Sequence, residues 1–595
     1  MHPVPEYRGS AVARGRQGPY TASVPGYRER TDADTGSVYW EVEKRGEELL
    51  EDPFLNKGTS FTAEERRELG LDGLLPPGIA TEEEQRARVY ENFRRSPDEV
   101  QRYLFLAGLQ DRNETLFYRL LLDHIEEMMP IVYTPTVGKV CELYSHLYRR
   151  PRGIYVSTRD RGRVREVLRA AAAGDVRVIV ATDNEAILGL GDLGAGGMPI
   201  AVGKSVLYCA AAGFHPRHVL PVSLDVGTSN ESLLEDPLYL GVRHERLRGE
   251  AYVSLLDEFV DAVRAEFPRA LVQWEDFANR NAFQVLHRYQ RKLPSFDDDV
   301  QGTGAVIVAG IRSGLKRAGR CLADERVVFY GAGASGAGCA LAVRAAMAAD
   351  GVPESELGRR VLCLDSRGLI LADRPGLEGE KRAIAADPAV AVEWPAFEGK
   401  IGLDEVVRRF RPGTLVGASG QPGAFTEPIV HAMVSACPRP IILPISNPTS
   451  KSEAAPADII SWTNGAAIVG TGSPFPAVSW KGAAYQVGQG NNAFIFPGVG
   501  LGAVAVEARW LPDAAFAAAS EALAAAAPAS PGPIYPKLVH LRAVSHGVAV
   551  AVARALVREE AAPPLCDAEI ERRIRSLVWE PRYVPYRAAR PVPAA

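Results

Sequence analysis

The chain has 595 residues, 46% hydrophobic and 24% charged, with a formal net charge of -5. At roughly 150 residues per domain this length predicts two to four domains and ample material for buried cores. The near-balanced charge argues against nucleic acid or an anionic membrane surface as a partner, and no uncharged apolar run of about 18 residues predicts a membrane span.

Seven cysteines stand singly, with no C-x-x-C pair. They predict neither a disulfide framework nor a zinc knuckle, and they suit a reducing, cytoplasmic home. The opening stretch, MHPVPEYRGSAVARGRQGPYTASVPGYRERTDADTGSVYW, is rich in Arg, Gly and Pro and has no apolar h-region. It excludes a secretory signal and predicts a flexible extension over residues 1–50, with an organellar transit peptide as the minor alternative.

From about Thr62 to Tyr148 the segments AEERRELG, EEEQRARVYENFRR, DEVQRYLFLAGLQ and NETLFYRLLLDHIEEMMP place apolar residues at three-to-four spacing and predict a helical layer. After Pro151, GIYVST, VRVIVATD, HVLPVSLDV and ALVQWEDF read as buried strands of a largely parallel sheet. A second α/β unit follows PSFDDDVQGTG, with five strands, RVVFYGAG, RVLCLDS, TLVGAS, RPIILPIS and AAIVGTGS, separated by helical segments. That alternation predicts a doubly wound, Rossmann-type sheet. Ala-rich helices run from Asp513 to Val557, and no internal repeat is visible. The expected organisation is an α/β chain with an extension at 1–50, a first unit at 51–300, a dinucleotide-type unit with C-terminal helices at 301–558, and a tail at 559–595.

Gly331, Gly333 and Gly336 stand in G-x-G-x-x-G spacing directly after an apolar run and before a helical segment. The first glycine permits the tight turn, the second lets backbone approach a pyrophosphate, and the third lets helix pack on strand. The next strand ends in Asp365, where an acid would accept ribose hydroxyls and favour NAD over NADP, although Arg367 lies close by.

Two carboxylate clusters stand out: Glu275 and Asp276 after the strand LVQW, and Asp297, Asp298 and Asp299 before QGTG. Hard oxygen ligands at strand ends suit Mg²⁺ or Mn²⁺. Lys204 lies in the apolar segment MPIAVGKSVLYCAAAGF, read as the first turn of a helix. A buried amine there is expected to have a lowered pKa, as a general base requires.

The segments PIVYTPTVG, RRPRGIYVS, ILGLGDLG, LDVGTSNESLL, QWEDFANRNAF, FDDDVQGTG, PISNPTSKSEA, GTGSPF and GQGNNAFIFPGVGLG together resemble malic enzymes, from about Gly58 to Val557. The resemblance implies oxidation and decarboxylation of L-malate with NAD and a divalent metal, by a homo-oligomer. It implies that Glu275, Asp276 and Asp299 ligate the metal, with Asp299 also near the cofactor. Lys204 would take the C2 hydroxyl proton, with Asp298 beside it, and Tyr133 would protonate the enolate at C3. Asn447, Asn491 and Asn492 would contact cofactor and substrate.

One position departs from the family pattern. Malic enzymes carry, at the position of Ala186, an arginine that contacts malate and cofactor. A bidentate arginine is not replaced in kind by alanine, so Arg152 or Arg161 would have to supply the charge, or the site handles its intermediates differently. Malolactic enzymes, which convert malate to lactate and CO₂ with NAD retained, resemble this chain at that point and at IAVGK, CAAAGF, YLGVRHERLRG and PGAFTE. GTGSPF and QGNNAFIFPG resemble malic enzymes proper. Asp297 stands where both groups usually carry asparagine.

Overall fold

Capping residues set the boundaries of the first helices. In the computed structural model, which describes residues 26–589 apart from 172–173, 378, 393, 395–398 and 530–531, Thr62 and Thr81 open the helices Ala63–Glu68 and Glu82–Arg95. Each threonine forms a reciprocal capping box with the glutamate three residues on. Asp98 and Asn113 accept backbone N–H bonds at the heads of Glu99–Arg112 and Glu114–Asp123. The stretch NETLFYRLLLDHIEEMMP breaks at His124, and its second part, Ile125–Val132, ends against Tyr133.

The first sheet has five parallel strands in the order Ile154–Ser157, Val219–Asp225, Val178–Thr182, Leu271–Glu275 and Ser295–Asp297. Helices cover it, so all residues of Val178–Thr182 and Leu271–Glu275 are buried. Each buried valine or isoleucine contributes about 1.5–3 kcal/mol relative to exposure. Charged groups are thereby confined to strand ends, where Glu275 and Asp297 sit.

The second sheet has the order Gly368–Leu369, Val361–Asp365, Val327–Tyr330, Thr414–Gly417, Ile441–Pro444, Ile468–Thr471 and Gly488–Gln489. All pairs are parallel except that of Gly368–Leu369 with Val361–Asp365. The five expected strands are all present. The two additional edge strands have two residues each, too short to show a period in sequence. Strand order reverses beside Val327–Tyr330, leaving a crevice between it and Thr414–Gly417 where ligands of such sheets bind.

The chain ends differ from expectation. From Tyr27 the supposed extension is ordered: Tyr27–Thr31 pairs antiparallel with Val38–Val42, which pairs parallel with Tyr586–Ala588 of the supposed tail. Trp40 stacks on Phe54 and Tyr586 with ring centroids 5.3 and 5.6 Å apart. This aromatic core draws on both ends of the chain, so no local window reveals it. Residues 1–25, which hold most of the transit-peptide alternative, lie outside the described residues.

The Ala-rich helices Asp513–Ala526 and Leu541–Arg558 form as expected. The helix Phe496–Ala505 packs on both Leu541–Arg558 and the segment Tyr208–Ala212, joining the C-terminal helices to the first unit. Among the described residues no helix is long and apolar enough to cross a membrane.

Candidate active site

Register brings the two carboxylate clusters together. Trp274 pairs with Asp297 across adjacent parallel strands, so Glu275 and Asp298 leave the sheet side by side. The chain then turns sharply at both strand ends. Asp276 adopts a left-handed backbone with φ of 56°, and Asp298–Gly302 forms a π-helical turn, a geometry often found at functional sites. Ligand oxygens of Glu275, Asp276 and Asp299 consequently lie within 4.8 Å of one another.

The cluster is held from behind. Asp299 accepts the Asp276 N–H at 2.8 Å, and Gln273, itself bound by the Tyr208 hydroxyl, donates to Glu275 at 2.7 Å. The Asp276 Oδ2 is buried with no partner. Burial, together with the charges of Asp299 and Asp298 and against that of Lys204, pushes the Glu275 carboxyl up to about 8. Burial, Asp299 and Glu275 raise Asp276 well above the usual carboxylate range. Asp299 is raised by burial, against Lys204 and with Asp298. Such a set needs a cation or bound protons to persist. Asp297 serves the turn, accepting the Val300 N–H at 3.0 Å.

Lys204 reaches this cluster from the helix Met198–Leu207 and is 1% exposed. Its ammonium contacts Asp298 directly and lies 2.8 Å from Glu275. The expected lowered pKa is corrected. Burial alone would lower it, but Asp298 and Glu275 outweigh burial and hold the amine well above the ordinary lysine range. Lys204 lies within a continuous helical run, Met198–Leu207 followed by the π-helical turn Tyr208–Ala212, and not in its first turn.

Tyr133 closes the helix Ile125–Val132, and the Lys204 ammonium lies 5.4 Å from its ring centroid. Burial keeps its phenol well above the usual range, with Glu275, Asp298 and Asp276 adding and Lys204 opposing. Asn492 donates to Asp298 at 3.0 Å and to Thr303 at 2.9 Å, which ties it to the Lys204–Asp298 ion pair. Asn491 caps its own turn, accepting the Ala493 N–H at 2.9 Å. Asn447 accepts from the Ser473 hydroxyl at 2.5 Å.

Tyr133, Glu275, Asp276 and Asp299 form one wall of a cleft of about 340 Å³, which Asn447, Asn491 and Asn492 also line. The opposite wall is the glycine loop: Gly331 has φ of 112°, and a Cβ on Gly336 would stand 2.1 Å from the Gly331 carbonyl oxygen. Gly333 and Gly336 line the cleft at the N-terminus of the helix Ala334–Ala349, where backbone N–H groups suit a pyrophosphate. Asp365 stands differently from expectation. Arg374 grips both its oxygens at 3.0 Å and Lys381 lies at 2.7 Å, so the acid is already ion-paired. Against burial, Lys381 and Arg374 pull it down to about 2.

Ala186 lines the cleft, and no arginine or lysine side chain does so among the described residues. The two arginines expected as substitutes are engaged elsewhere. Arg152 pairs with Asp111 and Glu114 at 2.8 and 3.2 Å, and Arg161 donates to the Ala251 carbonyl. Sequence reasoning missed Gln273, Phe496, whose ring centroid lies 4.5 Å from the Lys204 ammonium, and Asn279, which accepts the Ala334 N–H at 2.7 Å. Their signal was position only, inside motifs already singled out.

Residues 300–557 match the family model for the malic enzyme NAD-binding domain, and residues 110–290 that for the malic enzyme N-terminal domain. The NAD-dependent malic enzyme of Shewanella oneidensis is 45% identical, covering 91% of this chain and 97% of its own. That of Acinetobacter baylyi is 43% identical, covering 91% and 96%. Among solved structures, the malic enzyme of Entamoeba histolytica shares the fold with a TM-score of 0.54 at 21% identity, covering 85% of this chain and 91% of its own.

Proposed function

This chain belongs to the malic enzyme family and is an NAD-dependent oxidoreductase that oxidises and decarboxylates malate; on that premise we propose how its residues divide the work. The observation that carries the reading is Lys204 wedged between Asp298 and Glu275, beside three converging carboxylates and across a cleft from the glycine loop. Residues 51–300 form the substrate and metal unit and residues 301–558 the cofactor unit, a division that the two separate sheets support.

Glu275, Asp276 and Asp299 hold a divalent cation, Mg²⁺ or Mn²⁺, and the unpartnered Asp276 Oδ2 supports this. When bound, the cation supplies Lewis-acid polarisation of the C2 oxygen and offsets substrate charge. A cation on Glu275 would offset one of the two charges that hold the Lys204 proton, and as the free amine, beside Asp298, Lys204 takes the proton of the C2 hydroxyl; NAD held at the glycine loop would supply the hydride acceptor. Loss of the C4 carboxylate as CO₂ leaves an enolate, and Tyr133, kept protonated by burial, donates to C3. Asn492 orients Asp298, Asn491 shapes the turn that carries Asn492, and Asn447 faces cofactor and substrate.

Purified protein with malate, Mn²⁺ and NAD tests this when NADH, pyruvate and lactate are followed together. We expect NADH and pyruvate in equal amounts, with dependence on the metal; turnover indifferent to metal removal would sink the assignment. A second reading, malolactic chemistry, is favoured by Ala186, because no cation lines the cleft to fix and release the product carboxylate. Lactate without net NADH would support it. In that case Ala186→Arg raises the ratio of pyruvate to lactate, and an unchanged ratio in a folded, active variant removes this position from the account.

We also place the enzyme in the cytoplasm as a homo-oligomer. Seven free cysteines suit a reducing compartment. Leu238 and Leu240 are 55% and 54% exposed, and the Leu240 N–H donates to Ser145 of the segment that also exposes Leu143 and Tyr148; a second copy would cover these side chains. Light scattering at micromolar concentration decides this, and a monomer would refute it.

A further inference from the structure

The cofactor sheet buries one carboxylate that no step above uses. Glu453 follows the turn Thr449–Lys451 and folds back beneath the C-terminal ends of Thr414–Gly417 and Ile441–Pro444. Its Oε1 accepts from the Ser419 N–H at 2.8 Å, the Ser419 hydroxyl at 2.9 Å, the Gly420 N–H at 3.2 Å and the Ser446 hydroxyl at 2.6 Å. Its Oε2 is buried without a partner, and the residue is 0% exposed. Room for it depends on Gly417, where a Cβ would stand 2.6 Å from the Glu453 carboxyl carbon.

Four donors on one oxygen recover much of the hydration that burial removes. They are dipoles, however, and the charge itself meets no lysine or arginine among the ion pairs of the described residues. Ser419, Gly420 and Ser446 also line the cleft. With a pyrophosphate at Gly333–Gly336 and the adenosine end toward Val361–Asp365, the nicotinamide end extends the other way, over the loops 418–420 and 445–447. The oxidised ring is cationic and the reduced ring is neutral.

We propose that Glu453 is a positioning residue that sets the balance between the two cofactor forms: it fixes the loops beneath the nicotinamide, and its buried charge favours the oxidised ring. This rests on the cofactor lying in the cleft as proposed above. Titration with NADH by fluorescence, and displacement with NAD, gives both dissociation constants without turnover. Glu453→Gln keeps the shape and removes the charge. NAD affinity then falls about tenfold relative to NADH affinity, the order expected for the loss of one charge in a partly screened interior.

Glu453→Asp retracts the carboxylate but keeps its charge, so it weakens both forms alike and preserves their ratio. It remains informative where the glutamine variant does not fold. Mn²⁺ affinity stays unchanged in both variants. Equal loss of NAD and NADH affinity in Glu453→Gln, no loss of either, or a changed ratio in Glu453→Asp overturns the proposal. Wild-type protein that binds neither form overturns the cleft assignment instead.

Discussion

The two walls of the cleft solve opposite electrostatic problems with the same kind of scaffold. On the first-sheet wall, Lys204, Glu275, Asp276 and Asp298 are 1%, 2%, 4% and 0% exposed, so charges are packed out of water at adjacent strand ends. On the second-sheet wall, the lining from Gly333 to Gly336 and from Ala418 to Gly420 carries no charged side chain. Recognition there rests on backbone dipoles at a helix start. Buried like charges are costly unless a cation answers them, whereas oriented N–H groups answer an anion without any net charge of their own. One wall therefore presents charged side chains that what it binds must balance, whereas the lining of the other presents only dipoles.

The comparison breaks most sharply at the carboxylates. We expect Glu275→Ala and Asp299→Ala each to abolish turnover and to weaken Mn²⁺ binding by about a hundredfold or more, since each removes charge and geometry from a site with few protein ligands. Isothermal titration with Mn²⁺ checks this, and an active variant with unchanged affinity would refute the metal set. Lys204→Ala comes next. It lowers kcat by roughly 10²–10⁴-fold, the range for a lost proton-transfer group. NAD affinity is unchanged, and a large loss of NAD binding with normal kcat would contradict the role.

On the other wall, Gly336→Ala puts a Cβ 2.1 Å from the Gly331 carbonyl oxygen. We expect weaker NAD binding, by about tenfold, with Mn²⁺ affinity intact; equal damage to both would show that the walls are not separable. The smallest effect sharpens the contrast by pH. Glu275 titrates at about 8 when folded against an ordinary 4.5. The folded, metal-free chain thus keeps a proton that the unfolded chain releases, and stability falls as pH rises between those values. Mn²⁺ replaces that proton, so it raises Tm by a few degrees more at about pH 8 than at about pH 6. A pH-independent increment counts against the buried cluster.

Much of this site was legible before the fold. The helical layer, the main strands of both sheets, the glycine loop and the two carboxylate segments each carry a local signature: a period, a turn residue or an adjacent pair of acids. The burial of Lys204 was legible in its apolar surroundings, and its charge behaviour was not. Its pKa depends on Asp298 and Glu275, which lie 94 and 71 positions away in the chain and reach it only through sheet register. The ion pairs of Asp365 were hidden for the same reason, because Arg374 and Lys381 reach it from a later loop.

Sequence by itself determined which segments fold as helix or strand and which residue types carry chemistry, because hydrophobic period, capping and glycine spacing act within a few residues. Tertiary structure alone decided what surrounds each charge. It ordered the chain ends by pairing Val38–Val42 with Tyr586–Ala588, left Ala186 without a substitute arginine, and buried Glu453 beneath two loops. Burial and electrostatic partnership are properties of distances in space, and neighbours in space here come from distant parts of the chain.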